Sequence, residues 1–287
     1  MRLSDAPIRV IADLLAARTG QELTESRLWR VPSALSCVFR ERGISNVDQL
    51  VCLMADGGDP LLADEVVEAL INNETYFFRD HLSFQTLAER ILPDLAQKRA
   101  GSRRLSIWSA GCSTGQEALS LAMLFRAQPQ AWDGWTIDIV ATDVSKSVIE
   151  TARKGHYSQF EIQRGITIAQ MLEFFSETGD GWQANDDILS MLRHQQRSLL
   201  DAPPAPGRFD LVLCRNVLLY FDRCTRARAF DRLSAAVRSD GWLMLGAGET
   251  VVGQTEKFDP GLHGCSLCVP RQPAIAPAMP MPRAAIG

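Results

Sequence analysis

The chain lacks any apolar run approaching the ~18–20 residues that a bilayer-spanning helix needs, so no membrane insertion is expected. It also lacks an excess of positive charge. Lys+Arg 30 against Asp+Glu 34 leaves a formal charge of −4. A surface so balanced is not built to cover a nucleic-acid backbone, and no nucleic-acid partner is expected. Histidine is scarce, with 4 residues, and tyrosine scarcer, with 3. The 7 cysteines (37, 52, 112, 214, 224, 265 and 268) are odd in number and scattered. Cys265-Ser-Leu-Cys268 is the one close pair. Zinc normally asks for four ligands and no second such pair is available, so no metal is expected. The N-terminal stretch MRLSDAPIRVIADLLAARTG is interrupted by Asp13 and offers no small-residue cleavage site. It reads as an amphipathic helix rather than a signal peptide, and with the scattered thiols it implies a cytoplasmic protein.

What is present is the balance of an ordinary globular chain: 287 residues, 46% hydrophobic and 22% charged. That length suits about two domains. Residues 1–80 read as an all-helical domain. Ile8, Ile11, Leu14 and Leu15 recur at helical spacing before Gly20, and Leu28, Val31, Leu35 and Val38-Phe39 repeat the pattern before Gly43. Helices are expected over 48–55 and 61–71, with Gly57-Gly58 as a turn between them. From residue 81 the pattern changes. A helix over 81–100, broken near Pro93, leads into strands at 105–110, 136–142, 209–214 and 241–246. Between them run helices at 116–126, 145–154 and, in the main, 220–237. Strands alternating with helices imply a parallel sheet covered on both faces. The stretch 155–200 interrupts the alternation and reads as a small inserted subdomain. Residues 271–287, rich in Pro and Ala, read as a disordered tail.

Three stretches could carry chemistry. In Ser109-Ala-Gly111-Cys-Ser-Thr-Gly115-Gln-Glu117, two glycines sit at a strand-to-helix turn, where a ligand can approach the bare backbone at Gly111. The spacing is not that of a dinucleotide site, and there is no Gly-Lys-Ser/Thr for a phosphate loop. The next strand ends in Asp143, where an acid can accept from both ribose hydroxyls. Asn72-Asn-Glu-Thr-Tyr-Phe-Phe-Arg-Asp80 gathers amides, a hydroxyl, aromatics and a guanidinium at the junction of the two regions. Cys214-Arg-Asn-Val-Leu-Leu-Tyr-Phe-Asp222 follows a buried strand at the carboxyl edge of the sheet. Each also has a plain structural reading as a turn, a helix cap or a core aromatic.

Taken together, NNETYFFRD, SAGCSTGQEALSLAM, ATDVSKSVIETARKGHY and FDLVLCRNVLLYFD resemble the chemotaxis-receptor glutamate methyltransferases, the CheR family. The resemblance runs over residues 8–268. It implies an α/β fold: a Rossmann-like class I methyltransferase domain over 81–270 that binds S-adenosyl-L-methionine, with an N-terminal all-α domain and a small β-subdomain inserted at 155–200. It assigns cofactor contacts to Asn73, Thr75, Arg79, Glu117, Asp143, Arg215 and Asn216. Ser198-Leu199 falls where the family usually has Asn-Leu beside the adenine, and the serine has one amide fewer. Gln116 stands where Glu is common, and Ala118-Leu119 replaces the usual Pro-Tyr.

The activity so implied is methyl transfer to receptor glutamates, which needs no general base. Arg79 or Arg215 would hold the incoming carboxylate and Tyr220 would pack near the transferred methyl. Arg27, Arg30, Arg40 and Arg42 would meet the acidic cytoplasmic methylation helices of chemoreceptors. The segment 174–182 is short for the loop that grips a receptor's C-terminal pentapeptide in part of the family, so pentapeptide-independent recognition is expected. A methyltransferase acting on another substrate, and a non-enzymatic S-adenosylmethionine-binding regulator, are the alternatives.

Overall fold

The computed structural model describes residues 5–55, 59–262 and 264–271. The first helix, Asp5–Thr19, buries Ile8, Ile11 and Leu15, one stripe at i, i+3 and i+7. The apolar stripe over residues 28–39 is cut into short helices, Glu25–Leu28, Val31–Ala34 and Ser36–Arg42. Pro32 sits in the first turn of the middle one, where its missing N–H has no helical partner to lose. Helices Val47–Ala55 and Pro60–Leu70 complete this part, whose core centres on Ile11, Val31, Leu35, Leu50 and Val66, all fully buried. The turn at Gly57-Gly58 lies outside the described residues.

The helix expected over 81–100 runs as His81–Thr86, a π turn Leu87–Ile91, then Leu92–Lys98. Pro93 has no N–H for the carbonyl four residues back and its ring crowds that carbonyl; the wide turn just before it relieves both problems.

The strands are β1 (Arg104–Ala110), β2 (Thr136–Asp143), β3 (His156–Tyr157), β4 (Phe175–Glu177), β5 (Trp182–Ala184), β6 (Leu192–Gln196), β7 (Phe209–Cys214), β8 (Val237–Leu245), β9 (Phe258–Gly261) and β10 (Gly264–Pro270). Seven of them form one sheet in the order β6-β2-β1-β7-β8-β10-β9. β6, β2, β1, β7 and β8 are parallel, and β10 is antiparallel to both its neighbours. All six residues of β7 are buried, as a strand covered on both faces requires. The chain moves outward from β1 through β2 to β6, then returns to β7 on the far side of β1. The carboxyl ends of β1 and β7 therefore border the crevice where such sheets bind ligands.

β3, β4 and β5 form a separate antiparallel sheet within the insertion. Residues 192–196 do not belong to it. Leu192-Arg-His-Gln-Gln is polar enough to read as surface, yet it is an edge strand of the main sheet, paired with Ile139 to Asp143. Of the tail expected over 271–287, only Arg271 lies within the described residues; it bonds Asp259 at 2.8 Å.

The helical part docks on the sheet through named contacts. Gln21 bridges Phe221, and the Glu22 amide donates to the Tyr220 carbonyl at 2.7 Å. Glu68 reaches the N-terminus of the Lys146–Lys154 helix, accepting from the Lys146 amide at 2.8 Å, from the Ser147 hydroxyl at 2.7 Å and from the Ser145 hydroxyl. A carboxylate there satisfies amides that the helix cannot and complements its dipole. Glu68→Ala should therefore lower stability by about 1 kcal/mol, read as an earlier urea midpoint; an unchanged midpoint would show that the cap is idle.

Candidate active site

The site is built where strands end. After β1 the chain turns at Gly111 with φ of +81°, and a Cβ there would stand 2.4 Å from Val217 Cγ2. Only glycine fits, so backbone is bared to the cleft. Two residues on, the Ser113 amide donates to Asp143 Oδ2 at 2.9 Å, and the Ser145 amide donates to Oδ1 at 3.0 Å. Asp143 closes β2 and is 8% exposed. Burial pushes its pKa up, and these amides pull it part of the way back. The Ser113 hydroxyl donates to the Asn73 carbonyl at 2.7 Å, tying the 72–80 stretch to the glycine turn.

Glu117 lies in the first turn of the Gln116–Arg126 helix and accepts from the Ser109 hydroxyl at 2.7 Å. Opposite it is Arg215, the residue after β7, whose side chain is 1% exposed. Nη1 meets Glu117 at 3.1 Å, Nη2 meets the Arg79 carbonyl at 2.6 Å and Asp80 at 2.7 Å, and Nε is buried without a partner in the protein. The guanidinium also lies 5.3 Å from the Phe84 ring centre. Both terminal nitrogens of Arg215 thus answer groups of the protein itself. Asn216 has φ of +60°, and its amide donates to Glu249 Oε2 at 2.8 Å, as does the Gly246 amide. Asn216 Oδ1 is buried without a partner in the protein.

At the mouth, Tyr220 Oη accepts from Asn72 Nδ2, and Arg27 stands 4.7 Å over the Tyr220 ring. Arg79 donates to the Glu74 carbonyl at 2.9 Å. Ser198 Oγ accepts from the Leu200 amide at 3.2 Å, so its side chain serves a local turn beside buried Leu199. Asn73, Thr75, Arg79, Gly111, Glu117, Asp143, Ser198, Leu199, Arg215, Asn216 and Tyr220 all line one cleft, about 840 Å³ with its open mouth included. The four arginines of the helical part do not form one patch. Arg27 and Arg30 line a groove that shares Asn72 and Tyr220 with this cleft. Arg42 is taken by Asp59, at 2.7 Å, and by Glu65, while Arg40 reaches the Cys37 sulfur at 3.3 Å.

A family model for the CheR methyltransferase SAM-binding domain matches residues 73–261. The chain belongs to the CheR methyltransferase family. Chemotaxis protein methyltransferase of Vibrio parahaemolyticus is 32% identical to it over 260 residues, covering 90% of this chain and 94% of the relative. Chemotaxis protein methyltransferase 1 of Pseudomonas aeruginosa is 34% identical over 257 residues, covering 88% and 92%. The parallel-dominated sheet is the class I methyltransferase fold, and S-adenosylmethionine is the cofactor of this CheR domain. The cleft fits that molecule chemically. Its positive centres have two carboxylates to face, Glu117 and Asp143, and its donors have the unsatisfied Asn216 Oδ1. Among the described residues no helix is long and apolar enough to cross a membrane.

Two residues that support the turns and helix around this CheR site escape a motif reading. Glu249, 8% exposed, holds the turn after β7 from the loop after β8. Its only signal in the sequence is an acid just past a strand end. Glu68 lies 77 residues before the helix it caps and leaves no local signal.

Proposed function

We propose that this CheR-family chain transfers the methyl group of S-adenosylmethionine to glutamate side-chain carboxylates of chemoreceptors, leaving glutamate methyl esters. The observation that carries this reading is a cleft mouth with a guanidinium and a tyrosine, Arg79 and Tyr220, and with no histidine or cysteine among the described residues that line it. A glutamate carboxylate, with an ordinary pKa near ~4.3, is ionised at neutral pH and needs no base. When bound, the cofactor supplies a methyl on a positively charged sulfur: a carboxylate oxygen forms the new C–O bond, the C–S bond breaks, and S-adenosylhomocysteine leaves with no proton moved.

The chain's own work is then alignment and exclusion of water, and good alignment can be worth about 7–11 kcal/mol. Arg79 holds the incoming carboxylate. Asp143 takes the ribose hydroxyls, Glu117 and Asn216 face the amino-acid end, Ser198 and Leu199 border the adenine, and Asn73 and Thr75 complete the wall with the bare backbone of Gly111. Arg215 fixes Glu117 and the 79–80 backbone. Arg27 and Arg30, at the rim, steer the acidic methylation helices. The β4–β5 hairpin is closed tightly, Thr178 amide to Gly181 carbonyl at 2.8 Å, which suits receptors recognised without a C-terminal pentapeptide. The same reading makes the protein cytoplasmic.

Incubating the full chain with labelled S-adenosylmethionine and chemoreceptor cytoplasmic fragments should yield base-labile label, the mark of an ester. Cofactor binding with no such label on any fragment overturns the reading. Tyr220→Ala should leave cofactor affinity near wild type and lower turnover about 100-fold, the scale of a ~1 Å misplacement. Tyr220→Phe keeps the ring, and unchanged turnover in it would assign the effect to packing rather than to the hydroxyl.

A further inference from the structure

The inserted subdomain packs against the 72–80 stretch, with Tyr157 and Phe175 on the Phe77 ring, and at Gly165 it also brings a charge. Gly165 has φ of +100°, and a Cβ on it would stand 1.9 Å from the Phe77 carbonyl oxygen. The loop is therefore pressed against the 72–80 backbone at a separation that only glycine permits. The residue before it, Arg164, sets its guanidinium 4.4 Å from the Tyr76 ring centre and pairs with Glu74 at 2.8 Å. Arg79 stands 5.7 Å from the same ring. Two cations thus share one aromatic ring beside the cleft, and the carboxylate that answers them, Glu74, is itself part of the cleft lining. Arg164 holds that carboxylate below its usual range.

Gly165 already fixes the loop by packing, so the ion pair is not needed as a tether. Both of its members are well exposed, Glu74 54% and Arg164 41%. A pair so wetted is weak and exchanges readily with another carboxylate. On a Glu-rich helix, acids one turn apart lie about 5–6 Å from each other at Cβ, so a second acid arrives together with the first.

We infer that Arg164 is a specificity-determining residue: next to Arg79, which holds the glutamate to be methylated, it binds a second acidic residue beside that glutamate, and Glu74 is the resident carboxylate that this acid displaces. This inference rests on the carboxylate-acceptor reading above. The wild-type full chain, Arg164→Gln and Glu74→Gln are each titrated with a chemoreceptor cytoplasmic fragment in S-adenosylhomocysteine, which halts turnover. A second fragment carries Gln in place of the acids that flank the methylated glutamate. Arg164→Gln should weaken binding of the acidic fragment about three- to fivefold, and Glu74→Gln should tighten it by a similar factor. The Gln-flanked fragment should bind wild type and Arg164→Gln alike. A structural pair would make both variants move the same way, and that result overturns the inference. So does a Gln-flanked fragment that feels Arg164→Gln as strongly as the acidic one. Ester formation by the wild type is scored separately: esters with the wrong binding pattern sink this inference alone, whereas no ester on any fragment sinks it together with the reading beneath it.

Discussion

Arg215→Gln should cost about 3–5 kcal/mol of folding stability and abolish methyl transfer. The side chain is 1% exposed and stands between Glu117, 11% exposed, and Asp80. Removing the guanidinium leaves the Glu117 carboxylate inside the protein with only the Ser109 hydroxyl to answer it, and leaves the Arg79 carbonyl unsatisfied. An uncompensated buried charge is the expensive case, far above the price of an exposed ion pair. The loss should appear as a lower urea midpoint at an unchanged slope. Arg215→Lys keeps the charge but offers one point donor where the fork reaches three partners, so it should fall between wild type and Arg215→Gln. A midpoint in Arg215→Gln equal to wild type would mean that the Glu117–Arg215–Asp80 chain holds nothing together. Activity should fall even at temperatures where the variant is folded, because Glu117 and the 79–80 backbone lose the group that orients both.

The place of Arg215 after an apolar strand marks it as a residue at the cleft, and it lines the cleft. Its partners could not be read, because Asp80 lies 135 positions away and Glu117 98 positions away. The same division runs through the molecule. β7 was legible to the residue, since Phe209-Asp-Leu-Val-Leu-Cys214 is an apolar run between arginines. β8 begins at Val237 rather than Gly241, because Arg238-Ser-Asp240 reads as a turn, while Val237 still pairs with Phe209 across a register shift. Residues 192–196 read from sequence as part of the inserted subdomain rather than of the main sheet, because an edge strand needs only one buried face and Leu192-Arg-His-Gln-Gln shows almost none. Site residues on short turns after strands could be named, since glycines, acids and amides there break the apolar pattern. Arg164 and Glu68 could not: each acts across an interface between parts of the chain whose docking no local pattern describes.

Asp143→Asn should weaken S-adenosylmethionine binding about 10- to 100-fold, the range for losing a hydrogen-bond acceptor that carries charge. The reason lies in the two amides as much as in the ribose. Ser113 and Ser145 donate to different oxygens of the same carboxylate. An asparagine offers one oxygen, so one amide must face an NH₂ group, and the Gly111–Ser113 turn shifts with it. The wild type should also show a pH dependence whose direction follows from burial. The Asp143 carboxyl titrates above its ordinary value of 3.8 because burial disfavours its charge. An acid with a raised native pKa holds its proton longer in the folded chain than in the unfolded one. Its burial therefore lowers stability progressively as pH rises from about 4 through the raised pKa, and the penalty is constant above it. With the ribose at Asp143 as proposed, cofactor binding runs the other way, since hydroxyls and backbone amides all donate to the ionised form. As pH falls from neutral towards that raised value, a proton competes with these donors and affinity for S-adenosylmethionine should decline. In Asp143→Asn the decline should vanish. An equal decline in both proteins would assign the titration to another group and remove Asp143 from the cofactor's partners.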